Sequence, residues 1–75
     1  MSDSEKIVAV IFQTGMISGM RLIRKLKYEP TLETMRSLIK KKLICSITIL
    51  IDDEDMKNAY YAPLSRAVEA MKDYV

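Results

Sequence analysis

Apolar runs alternate with short polar breaks along this chain, and the spacing inside each run predicts an element. Residues 6–12 are apolar almost throughout (Ile7, Val8, Ala9, Val10, Ile11, Phe12). Such a run fits a helix or a buried strand, and periodicity does not separate the two. Asp3 or Ser4 is placed to cap a helix here, and Gly15 to stop it. Met20, Ile23 and Leu26, with Leu22 beside them, recur at helical spacing behind Ser18, a good N-cap. Tyr28-Glu29-Pro30 ends that helix, because the residue before proline is pushed out of the α region. Thr31 caps the next helix, expected over residues 32–42. Leu32, Met35, Leu38 and Ile39 give it an apolar face, opposite Glu33, Arg36, Ser37, Lys40 and Lys41.

Residues 43–51 are rich in β-branched side chains and alternate in their later part, which predicts a strand. Asp52-Asp53-Glu54-Asp55 reads as a turn, and residues 58–62 as a short return strand. Pro63 or Ser65 opens a last helix, with Leu64, Val68, Met71 and Val75 at helical spacing. The expected fold class is α+β, mostly helical, in a single domain over residues 1–75. The alternative is a small α/β unit with strands at 6–12 and 44–51.

Charge changes the picture more than composition does. The 75 residues carry a net charge of +2, but unevenly. Residues 21–42 hold Arg21, Arg24, Lys25, Lys27, Arg36, Lys40, Lys41 and Lys42 against Glu29 and Glu33, a balance of +6. Residues 1–20 stand at −1 and residues 43–75 at −3. A basic block between acidic ends reads either as a footprint for a polyanion or, slightly better on charge alone, as a solvated helix face. The chain has no His and one Cys, Cys45. That excludes a His-based triad, a His-ligated metal and a disulfide framework, and suits a reducing, cytoplasmic setting. No Gly-rich phosphate loop and no nucleophile–base pair is present, so an enzyme is not expected, nor a cofactor or metal. The uncharged run over residues 7–20 is too short to span a membrane. Cys45 and the set Met16, Met20, Met35, Met56 and Met71 are expected to pack in the core, as are Tyr60 and Tyr61 against the sheet.

Three stretches resemble the winged helix-turn-helix domain of small transcription regulators. Residues 16–26, from Met16-Ile17-Ser18-Gly19 to Leu26, look like the first helix of the helix-turn-helix. Residues 31–44, beginning Thr31-Leu32-Glu33-Thr34-Met35-Arg36, look like the recognition helix running into the wing. Tyr60-Tyr61-Ala62-Pro63-Leu64-Ser65 looks like the returning strand. The resemblance implies three helices, a two-stranded wing and a C-terminal helix. It also implies sequence-specific binding of double-stranded DNA by a transcription regulator, with helix 32–42 in the major groove.

A helix fits that groove, and its N-terminal half reaches base edges. That half offers Glu33, Thr34, Arg36 and Ser37, with Lys40 one turn later. Arg36 suits guanine, and Glu33 a cytosine amine. Arg21, Arg24, Lys25, Lys27, Lys41 and Lys42 suit phosphates. Two features depart from the family pattern: Lys42 stands where a glycine usually ends the recognition helix, and the wing turn Asp52–Asp55 is acidic where a basic one is usual. That acidic turn is a candidate surface for a protein partner, with Lys57 the one nearby residue suited to DNA. If residues 5–13 are helical, their apolar positions run all the way round. With the C-terminal helix they predict a two-fold homodimer. The competing expectation is a protein-interaction module or inhibitor that binds no nucleic acid.

Overall fold

The computed structural model describes residues 2–64. The expected C-terminal helix beyond Leu64, and its share of a dimer surface, lie outside the described residues. Four helices and three short strands follow in the order α1 (Asp3–Thr14), β1 (Ile17–Ser18), α2 (Gly19–Leu26), α3 (Leu32–Lys40), β2 (Ile44–Ser46), α4 (Asp53–Asn58) and β3 (Tyr60–Pro63). The strands form one antiparallel sheet with β3 in the middle, in the order β1-β3-β2. Ile17 faces Tyr61 across one ladder, and Cys45 faces Ala62 across the other.

The run at residues 6–12 is helical, which removes the α/β alternative with a strand there. The N-cap of α1 is Ser2 rather than Asp3 or Ser4; its hydroxyl accepts from the Glu5 N–H at 3.2 Å. Gly15 stops the helix at φ 82°, a conformation that suits a residue without Cβ. Ile7, Val8 and Ile11 are buried, while Ala9, Val10 and Phe12 are half-buried against the same core. The all-round apolar surface of α1 is therefore largely used within the domain.

Ser18 and Thr31 cap α2 and α3 as expected, accepting from Arg21 N and Thr34 N. Both helices end in a left-handed lysine. Lys27 lies at φ 66° and Lys42 at φ 61°. At the second site Lys42 N–H bonds to Ile39 O and Leu43 N–H to Leu38 O, the paired termination usually built on glycine. The lysine departure noted in the sequence is thus a lysine in the glycine conformation.

The region after β2 differs most from expectation. The strand expected over 43–51 is limited to Ile44–Ser46, with one further ladder bond from Ile47 N–H to Tyr60 O. Its alternation does not serve a sheet: Ile47, Ile49 and Ile51 are 71%, 83% and 74% exposed, and Leu50 alone turns into the core. The acidic run is not a turn. Asp52 caps α4, and Asp55 answers it, accepting from the N–H groups of Asp52 and Ile51. This reciprocal capping makes four consecutive acids a good helix start, because carboxylates suit the positive end of the helix dipole. Residues that would have paired with 48–51 are thereby taken into α4. Pro63 belongs to β3, and the helix expected after it lies outside the described residues.

The core joins α1, α2, α3 and the sheet through Ile7, Ile11, Ile17, Leu22, Met35, Leu38, Ile44 and Tyr61, all nearly or fully enclosed. Met35 and Met56 pack as expected, but Met16 and Met20 face solvent, as does half of Tyr60. Their helix or strand neighbours supply the buried face, so these side chains fall on the outer one.

Candidate nucleic-acid interface

The basic residues of 21–42 stand on two outward helix faces. On α2, Gly19, Leu22 and Leu26 point inward, which leaves Arg21, Arg24 and Lys25 exposed, with Lys27 just past the end. On α3, Met35 and Leu38 point inward, and Glu33, Arg36 and Lys40 are exposed on the opposite side with Ser37 half-exposed beside them. Arg21, Arg24, Lys25, Lys27, Arg36, Lys40 and Lys42 have no acidic side chain in salt-bridge range among the described residues. Lys41 is exposed at the α3 cap.

Thr34 stands apart from this set. Its side chain is half-buried, its hydroxyl accepts from Thr31 Oγ1 at 2.8 Å, and it lines a cleft with Asp3, Ile7 and Tyr28 on the flank toward α1. That cleft holds about 150 Å³. The Tyr28 hydroxyl is enclosed there without a hydrogen-bond partner at bonding geometry. Burial pushes its pKa up, and the nearby Asp3 carboxylate adds to the shift. Lys6 lies over the Tyr28 ring, 5.8 Å from its centroid.

Helix α4 closes one side of the site, and sequence reasoning missed it. Its C-terminal end rests on Gly19. Gly19 N–H donates to Ala59 O at 2.8 Å, and any Cβ at this position would run into the carbonyl oxygens of Met56 and Lys57. The Tyr61 hydroxyl donates to Met56 O at 2.7 Å. Lys57, considered above for DNA, pairs with Glu29 at 3.4 Å. At the other end Asp53 shares a cleft with Glu29, Pro30, Thr31 and Leu32, the turn that leads into α3. The signal that marks this helix in the sequence is Asp52-x-x-Asp55 as a capping pair; the close seat of Gly19 leaves no trace in a single sequence.

Among the described residues no group of His, Cys, Asp and Glu is arranged to hold a metal ion, and no helix is long and apolar enough to cross a membrane. Cys45 is half-buried in β2 as a free thiol. The arrangement presents cations along two helices and acids at one edge. No family model, no curated protein and no solved structure matches the chain.

Proposed function

We propose that the protein binds double-stranded DNA as a winged-helix regulator, with α3 in the major groove and α2 against the backbone. The observation that carries this reading is the set of exposed cations on α2 and α3 that lack acidic partners within the described residues. Cations left unpaired on two successive helices are matched by phosphates, which supply most of the affinity of such complexes. The element order and the sheet order β1-β3-β2 support the winged-helix resemblance, with β2 and β3 as the wing. Arg36, Ser37 and Lys40 then face the groove, and Arg21, Arg24, Lys25, Lys27 and Lys41 the phosphates. Action as a two-fold homodimer in transcription regulation is part of the proposal.

Selection of a binding site from randomised duplex, followed by Arg36→Ala, tests it. The variant is expected to lose about 1–3 kcal/mol on the selected site and to relax preference at one base position. Unchanged affinity and preference would contradict a groove-facing α3.

A second reading is a protein-interaction module without nucleic acid. The exposed Ile47, Ile49 and Ile51 beside the acids of α4 favour it, since an apolar patch rimmed by charge often marks a protein contact. Absence of any duplex binding at low salt would favour this reading over the first.

A further inference from the structure

We propose that α4 steers the bound duplex. Its fixed acids hold phosphate away from the N-terminal end of α3 and from the wing. The nucleic acid is then gripped by the outward face of α2 and the C-terminal half of α3. This rests on the DNA reading above and adds which part of the site is used.

The argument begins with how firmly α4 is held. A flexible acidic turn would swing clear of a polyanion. A capped helix seated on Gly19, tied by Tyr61 and flanked by the Lys57–Glu29 pair does not. Its first turn carries Asp53, Glu54 and Asp55, and Asp53 lies at the turn that leads into α3. Glu33 is exposed in the first turn of α3 itself. The N-terminal end of a helix ordinarily attracts anions; here the carboxylates of Asp53 and Glu33 stand at that end.

The opposite end is of opposite sign. Lys40 and Lys42 are exposed at the C-terminal end of α3, with Lys41 among them, and Arg36 is exposed at its middle. A helix of 9 residues is about 13 Å long. That exceeds the screening length of about 8 Å at physiological salt, so a phosphate responds to each end separately. It is repelled at one and attracted at the other. Base contacts consequently shift from the first turn of α3 toward Arg36 and Lys40.

The test compares Asp53→Asn with Glu54→Gln, combined in one chain, against Glu5→Gln. Asp53 and Glu54 are exposed and take no part in the Asp52–Asp55 cap, so the double variant keeps the helix start. Glu5 lies across α1 from Asp3, the α1 residue that lines the cleft with Thr31, and its substitution gives the effect of one negative charge lost elsewhere, against two in the double variant. The readout is affinity for a mixed-sequence duplex, by fluorescence anisotropy across a salt series. At low salt the double variant is expected to bind about tenfold tighter than wild type, the size of two unit charges each about 6 Å from a phosphate in water. The gain should disappear at high salt, and Glu5→Gln should change affinity less than twofold. Equal gains per charge removed in both variants, or none from the double variant while wild type binds, would overturn the steering alone. Wild type without salt-dependent binding would overturn the DNA reading and the steering with it.

Discussion

The Tyr61 ring is fully enclosed, and its hydroxyl donates to Met56 O at 2.7 Å. One side chain on β3 thus fixes the C-terminal end of α4. Burial raises the phenol pKa from its ordinary 10 to about 12. The raised pKa belongs to the neutral form, so the stability it reflects is whole below pH 10 and is lost as pH rises through about 12. Tyr61→Phe deletes the bond and leaves a buried carbonyl without its donor, at a cost of about 1–3 kcal/mol near neutral pH. Thermal melts of the two chains are expected to converge between pH 10 and 12; a constant gap across that window would contradict the account. Tyr61 is an example of what single-residue reading does well: the sequence places it in the sheet, and the sheet buries it. The neighbouring Tyr60, which reads the same way, is half exposed because alternation along β3 turns it outward.

At the scale of elements, the helices were legible where a cap and a periodic face agreed. Ser18 with Leu22 and Leu26, and Thr31 with Met35 and Leu38, mark α2 and α3 within a residue or two. The segment between β2 and β3 was not legible. Alternating isoleucines over 47–51 carry a strong strand signal, yet a strand needs a partner, and Asp55 to Asn58 are drawn into α4 by the Asp52 cap. A non-local competition of that kind cannot be read from either segment alone. The end of α3 offers a direct check on the local physics. Lys42 holds φ 61°, a conformation that costs a side-chain-bearing residue about 1 kcal/mol or more. Lys42→Gly relieves it, less what the unfolded chain gains in freedom, for a net gain of about 0.5–1 kcal/mol. A rise in melting temperature of a few degrees is expected for a chain of this size. A fall would contradict the assignment of backbone strain to Lys42.

For the whole molecule, the charge map is the property that the sequence conveyed best and the structure sharpened. The basic block from Arg21 to Lys42 resolves into two exposed helix faces, and the acidic segment becomes a rigid edge beside the start of α3. The position of that edge depends on Gly19, Ala59 and Tyr61, which are distant from one another in sequence, and so it emerges only in three dimensions. If this map describes a DNA-binding surface, affinity must follow counterion release. The decisive measurement is the affinity of the full chain for duplex DNA between roughly 50 and 200 mM salt. About six phosphate contacts give a slope of log K against log salt near −5, and the account predicts a steep fall of that order. A slope near zero, or no binding at the lowest salt, would contradict it.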